Sequence, residues 1–474
     1  MVFSSSLFLL YFLPVFLIVY YFLDWKYKNL FTLIASIFFY SWGAPDFIFI
    51  VLGSIAIDYY IVNLLAKSSG KKKRIFLSLS VILNIGLLAY FKYANFFIEN
   101  VNEILGYFGF NHVQWVKVIL PIGISFFTFQ KLTYSVDVYR KVHTPLKKVT
   151  DYALYILMFP QLIAGPIVRF NEIADRIEDR RKFETIDNKL LGFFRFAIGL
   201  AKKVLIANVM GAEADRIFAM NADDMTTPIA WIGVIAYAFQ IYFDFAGYSD
   251  MAIGIGKMIG FSFPENFNNP YISQSISEFW RRWHLTLSRW MKDYLYIPLG
   301  GNRVATKRRL YFNLWIVFLI SGLWHGAAWT FIIWGAFHGL FLILDRLFLL
   351  KFFKFIGKYP SIIITFIITL IGWVLFRSEN LSHALVFIKK MFEFNFIGTE
   401  IYLNRQFIII LCVAIFFSFF AVIKGVENWQ MKLFTKNKTI TAYIIIISIA
   451  LILVIISVGS ITSSGFNPFI YFRF

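Results

Sequence analysis

FWRRWHLTLSRWMKDYLYIPLGG, from Phe279 to Gly301, packs charge, imidazole and indole together, and GLWHGAAW, Gly322 to Trp329, repeats the Trp-His pair inside an apolar run. The first stretch carries too much charge to be a simple span, and Pro298 with Gly300–Gly301 breaks it further. Irregular backbone at membrane depth survives only where protein or a wet cavity satisfies its polar groups. The segment 266–300 is therefore expected to be a re-entrant or interfacial helix buried in protein. The segment 150–168, broken by Pro160, Gly165 and Pro166, reads the same way. Together they predict a funnel that opens to the cytoplasmic face in the middle third of the chain.

The surroundings of these segments set the class. Of the residues 59% are hydrophobic and 15% charged, with 58 Phe and a mean hydropathy of +0.68, whereas a soluble domain is about 45–50% apolar and about 25% charged. A helix needs roughly 20 apolar residues to cross a bilayer core, and this chain supplies about 12 such runs. The fold class is all-α, a polytopic integral membrane protein. The expected spans are 5–23, 29–43, 46–66, 75–95, 116–136, 190–212, 229–247, 310–328, 329–349, 360–377, 406–424 and 440–459. Short loops make 1–474 one integral-membrane domain, with its core at 116–349, and exclude a fused soluble catalytic domain. Met1 to Leu23 shows neither a basic n-region nor a small-residue cleavage site, so it reads as a retained first span rather than a signal peptide.

The net charge of +19 would suggest nucleic acid in a soluble protein. Here the basic residues cluster in short loops at 67–74, 140–148, 303–309, 351–358 and 424–438, the positive-inside pattern of loops that face the cytoplasm and lipid headgroups. No nucleic-acid partner is expected. The loop with Glu213, Asp215, Asp223 and Asp224 has the opposite sign and is placed outside, as are both termini. From Ser460 the chain changes from an aliphatic span to a Ser/Gly turn and an aromatic tail, SITSSGFNPFIYFRF, read as an extracytoplasmic segment 460–474.

Candidate chemistry rests on few residues. His112, His143 and His383 fall in predicted loops. On a helix His284 shares a face with Arg281 and Ser288, with Trp280 one turn before it. His325 lies between Trp324 and Gly326, where backbone can be approached closely beside an imidazole, and burial favours the neutral form that a general base needs. His338 fits simple packing better. Asp244 and Asp250 are costly in lipid and should face the bundle interior, with Lys257 and Arg281 as candidate partners. Gly247, Gly254, Gly256 and Gly260 allow close helix approach. No metal site emerges, because HExxH and paired cysteines are missing and the interior histidines are flanked by aromatics. The single Cys412, in an apolar run, excludes an intramolecular disulfide framework. A Ser-His-Asp hydrolase lacks its GxSxG elbow.

FWRRWHLTLSRWMKDYLYIPLGGNR and GLWHGAAW, with DFAGYSDMAIG and FPQLIAGPIVRF upstream, resemble the membrane-bound O-acyltransferase (MBOAT) family, nearest the bacterial transferases that O-acetylate alginate and peptidoglycan. LPIGISFFTFQ and the terminal FIYFRF extend the likeness over most of the chain. The resemblance implies transfer of an acyl group from cytosolic acetyl-coenzyme A, a substrate rather than a bound cofactor, across the bacterial cytoplasmic (inner) membrane. It maps the family's central histidine onto His325 and its second onto His284. Trp283 and Trp324 would wall the donor channel, and Arg281, Arg282 and Lys292 would meet the coenzyme A phosphates. By the same resemblance Tyr471 would hold the acyl group briefly, with His325 as its base. An SGNH-like extracytoplasmic partner would then finish the O-acetylation, of peptidoglycan first and of alginate or another exopolysaccharide second. Two other classes stay open: a transporter of an acylated or sugar-linked lipid, and a subunit that only recruits the partner. Thioester cleavage separates the first from the enzyme, and a dispensable His325 would identify the second.

Overall fold

The computed structural model describes residues 3–162, 165–397, 403–435, 438–464 and 469–470. They are helices joined by turns and irregular segments, divided into two compact units: Met1–Thr185 with Ile259–Phe263, and Ile186–Met258 with Pro264–Phe474.

The first unit contains α1 (Leu13–Phe22), α2 (Trp25–Gly43), α3 (Ile48–Lys67), α4 (Gly70–Leu88), α5 (Ala94–Tyr107), α6 (Ile124–Tyr139), α7 (Val149–Leu157) and α8 (Phe170–Glu178). The span expected over 116–136 starts later than the apolar pattern suggested. Pro121 and the left-handed Gly123 (φ 77°) set the start of α6 at Ile124, and Val118 before it is held in irregular backbone by both amide atoms of Asn95. α6 is buried almost throughout. A buried polar network ties these helices together. The Asp58 carboxylate accepts from Ser80 (2.6 Å), Asn84 (2.9 Å) and Tyr152 (2.5 Å), Ser80 meets Ser135 (2.6 Å), and Lys131 donates to Ser54 (2.6 Å). These bonds offset the desolvation of the buried carboxylate and of the donors around it.

The second unit contains α9 (Ile186–Ala201), α10 (Asn208–Phe218), α11 (Thr227–Met258), α12 (Ile276–Phe279), α13 (Leu285–Trp290), α14 (Lys307–His325), α15 (Trp329–Leu344), α16 (Leu350–Ile356), α17 (Lys358–Arg377), α18 (Leu381–Phe392), α19 (Arg405–Phe419), α20 (Val426–Leu433) and α21 (Ile440–Ser464). A π-helical turn, Lys202–Ala207, links α9 to α10. The span expected at 229–247 is in fact 32 residues long, because nothing in DMAIGIGKM stops a helix whose small residues meet a neighbour. A Cβ on Gly192 would lie 2.6 Å from the Gly254 oxygen, and one on Gly199 2.5 Å from that of Gly247, so α9 and α11 touch backbone to backbone. His383, expected in a loop, sits in the first turn of α18, whose start is capped by the Asn380 side chain.

Seven described helical stretches are long and apolar enough to cross a bilayer: Pro45–Lys67, Gly70–Tyr107, Thr227–Met258, Trp329–Ile356, Lys358–Arg377, Arg405–Val422 and Ile440–Ser463, with Phe8–Phe22 shorter. This is a multi-pass membrane protein. The other expected spans include 190–212, interrupted by Arg195, Lys202 and Lys203, and 310–328, whose helix opens on Lys307–Arg309.

Candidate active site

Within the second unit, α14 starts from a Thr306 cap, whose hydroxyl accepts from the Arg309 N–H at 3.2 Å, and ends at His325. α15 folds back against it at very short range. A Cβ on Gly322 would sit 2.2 Å from the Phe331 oxygen, and one on Gly335 2.3 Å from that of Phe318. This contact sets His325 against Trp334, ring centroids 5.1 Å apart and nearly perpendicular, while Trp324 (4.9 Å) and Phe376 (5.2 Å) cover other sides of the imidazole. His325 lines a cavity of about 10 Å³ with Ile241, Phe245, Trp283, Trp334, Trp373, Phe376 and Ile470, room for about one water.

His284 is fully buried and is not on a continuous helix. Its backbone is left-handed (φ 44°, ψ 54°) and it caps α13, so the common face expected with Arg281 and Ser288 does not form. A β-carbon residue held there is strained, and the strain is met by local bonds. Asn266 supplies them: its backbone oxygen accepts from Leu285 N–H (2.9 Å), and its Oδ1 accepts from the Thr286 hydroxyl (2.9 Å) and faces His284 Nδ1 (3.0 Å). Thr286 N–H also points at Oδ1 (3.4 Å), and Asn266 Nδ2 donates to Ser249 (3.0 Å), which fixes the amide's orientation. An acceptor oxygen opposite Nδ1 makes Nδ1 the protonated nitrogen of the neutral ring. Nε2 then carries the lone pair, buried and without a hydrogen-bond partner among the described residues. Trp324 neighbours both histidines, 6.1 Å from His284 and 4.9 Å from His325.

A second cavity of about 170 Å³ holds two of the three cations expected at the donor site. Arg281 and Lys292 line it, with Trp280, Leu287, Ser288, Met291, Tyr296 and the α14 residues Leu314, Val317, Phe318 and Ser321. Arg282 turns elsewhere, between Glu278 (2.8 Å) and Glu427 (2.6 Å). Trp280 in the wall of the larger cavity packs edge-on against Trp334 in the wall of the smaller one, at 5.5 Å, and buried His338 packs on both indoles. Trp283 faces the smaller cavity and rests on Trp373 at 4.8 Å.

The two carboxylates have partners other than those expected. Asp244 pairs with Lys203 at 2.9 Å, and Asp250 with Arg195 and Lys202, both at 2.7 Å. Lys257 instead donates to the Phe434 carbonyl. The reason is the glycine contact between α9 and α11, which brings α9 and the π turn after it alongside the carboxylates. Tyr471 lies outside the described residues. Helix α21 runs on through the expected Ser/Gly turn to Ser464, and Phe469 and Ile470 are buried in the unit, Ile470 in the wall of the His325 cavity. Sequence reasoning missed Asn266, Trp334, Trp373 and Phe376. Asn266 sits in FPENFNNP, which reads as a turn, and the aromatics are three among many.

Residues 69–382 match the model of MBOAT, the membrane-bound O-acyltransferase family. A protein named probable alginate O-acetylase, from Pseudomonas aeruginosa, is 47% identical over 397 residues, which cover 83% of this chain and 75% of that one. A peptidoglycan O-acetyltransferase of Helicobacter pylori is 40% identical over 429 residues, covering 83% and 80%. A teichoic acid D-alanyltransferase of Bacillus subtilis is 31% identical over 294 residues, covering 56% and 71%. With a family match over more than half its length, and with histidine, tryptophan and arginine gathered as described, this chain belongs to the membrane-bound O-acyltransferase family and is an O-acyltransferase.

Proposed function

We propose that the enzyme takes acetyl from cytosolic acetyl-coenzyme A and passes it outward for O-acetylation of an exported or cell-wall polysaccharide. The observation that carries this reading is the pair of neighbouring cavities: a larger one with Arg281 and Lys292 in its wall, and a one-water cavity at His325 closed in part by Ile470 of the C-terminal segment. Arg281 and Lys292 suit the phosphates of coenzyme A, with Arg282, already balanced by two carboxylates, orienting their segment. The thioester then approaches His325 past Trp280 and Trp334, along walls that Trp283 and Trp324 complete.

The reaction balances as a transesterification. His325 takes the proton of the Tyr471 hydroxyl as that oxygen attacks the thioester carbonyl; the C–O bond forms, the C–S bond breaks, and the departing thiolate takes up a proton. A tyrosine hydroxyl, which titrates near pH 10, needs such a base at neutral pH. His284, neutral and hydrogen-bonded to Asn266, supports the site beside Trp324. An extracytoplasmic partner of the SGNH hydrolase kind then moves acetyl from Tyr471 to a sugar hydroxyl. Peptidoglycan and alginate, the acceptors in the relatives' names, share that chemistry. The enzyme sits in the bacterial cytoplasmic membrane with both termini outside, in keeping with the basic loops and the acidic 213–224 segment.

Mass spectrometry of purified protein given labelled acetyl-coenzyme A tests this. Label on Tyr471 that disappears in His325→Ala and in Tyr471→Phe is the expected result. Free coenzyme A without a labelled residue removes the tyrosine step. No thioester cleavage, even with the partner present, overturns the reading in favour of a transporter.

A further inference from the structure

Asp244 lies in the middle of the apolar stretch Thr227–Met258 and is 1% exposed. A carboxylate at such a place is expensive and is kept when it does something. Its ion pair with Lys203 occupies Oδ1, at 2.9 Å. The other oxygen, Oδ2, accepts the backbone N–H of Ile470 at 2.8 Å, from 226 residues further along the chain. Two more contacts act with that bond. The Phe469 ring packs at 4.8 Å from Tyr248 and 6.0 Å from Phe245, both on α11, and Ile470 forms part of the wall of the His325 cavity.

We propose that the Lys203–Asp244 pair is a main-chain clasp that seats the C-terminal segment of this same chain in the wall of the His325 cavity. Asp244 is thereby a positioning residue. Its carboxylate gives a charge-assisted bond, about twice as strong as a neutral one, to a donor that every residue but proline possesses. The Lys203 ammonium offsets the cost of burying that charge, so the second oxygen stays available to the tail. Lys203 reaches Asp244 from a π-helical turn, a local feature often found at functional sites, while its neighbour Lys202 reaches Asp250. The aromatic socket of Phe245 and Tyr248 fixes the register, so that the residue after Phe469 meets the carboxylate and the cavity together. The purpose of the clasp, to present the tail to His325, rests on the transfer proposed above; the docking itself does not.

Thiol reactivity separates the two. In a Cys412→Ser background with Ile470→Cys as the probe, detergent-purified protein should react slowly with N-ethylmaleimide. Combining Asp244→Ala with Lys203→Met, which removes both charges and leaves no lone lysine, should speed the reaction at least tenfold. Fast reaction of the parent, or an unchanged slow rate in the combined variant, overturns the clasp. If the combined variant does not fold, Ile470→Pro in the Cys412→Ser protein, which deletes the donor and leaves the ion pair and the Phe469 ring intact, is read by carboxypeptidase trimming of the C-terminus; faster trimming than in the parent supports the clasp and an unchanged rate refutes it. Acceleration with undiminished acetyl transfer keeps the clasp and refutes the tail's part in the reaction.

Discussion

At His284 the polypeptide accepts a left-handed backbone to place an imidazole whose Nδ1 is satisfied and whose Nε2 is not. Asn266 alone bonds the ring, the Thr286 hydroxyl and the Leu285 amide. Asn266→Ala keeps the backbone oxygen that meets the Leu285 amide but takes Oδ1 away from the His284 ring and the Thr286 hydroxyl, a cost of about 1–3 kcal/mol for each lost bond, and frees the ring to change tautomer. Acetyl transfer by Asn266→Ala membranes should therefore fall about tenfold or more at normal protein levels, and Asn266→Asp, which keeps the acceptor, should restore part of it with a displaced pH profile. Equal transfer by all three proteins would remove Asn266 from the site. The sequence made His284 and His325 legible, because Trp-His pairs in apolar runs carry their own signal. It could not reveal Asn266, since an asparagine 18 residues upstream in a turn-like string becomes a partner only when α11 and α13 are brought together. Nor could it show the break at His284, because an apolar period continues across one left-handed residue.

The hairpin of α14 and α15 is the element that fixes the cavity. Its closest contact is Gly322, where an added Cβ would stand 2.2 Å from the Phe331 carbonyl oxygen, an atom of rigid backbone. Gly322→Ala must push the helices apart, and overpacking of this kind costs about 1–3 kcal/mol. Gly53 on α3 has open space at the same position and serves as the control; there alanine should be neutral or add up to about 1 kcal/mol through helix propensity. The expected outcome is a lower melting temperature and a large loss of transfer for Gly322→Ala, with neither for Gly53→Ala. Matching behaviour of the two would show that the close approach is not what holds His325 to Trp334. Helix identity was readable from apolar run length, as at Lys358–Arg377 against the expected 360–377. Boundaries were not where long-range contacts decide them: α11 extends past Asp250 because that carboxylate finds Arg195 and Lys202, pairings a local reading assigned to Lys257 and Arg281.

One helix gives the molecule its direction. α14 begins in the basic loop at Lys307–Arg309 and ends at His325, and its apolar part beyond Arg309 rises roughly 24 Å, most of the thickness of a hydrocarbon core. Its side chains Leu314, Val317, Phe318 and Ser321 line the larger cavity on the way, and its last residue lines the smaller one. The positive-inside rule predicts that the basic end faces the cytoplasm. On the transfer proposed above, donor binding near Arg281 and Lys292 and reaction at the far end of α14 require this one orientation, and the acetyl group would have most of the membrane behind it when it leaves the thioester. Two engineered thiols in the Cys412→Ser protein test that orientation in sealed cells or vesicles. Ser288→Cys, in the larger cavity, should react with a membrane-impermeant maleimide only from the cytoplasmic side, and Trp329→Cys, at a residue 54% exposed just beyond His325, only from outside. Reaction of both from one side would mean that α14 does not cross the membrane. Reversed sides would invert the path, and coenzyme A, which is cytosolic, could not then reach Arg281 and Lys292.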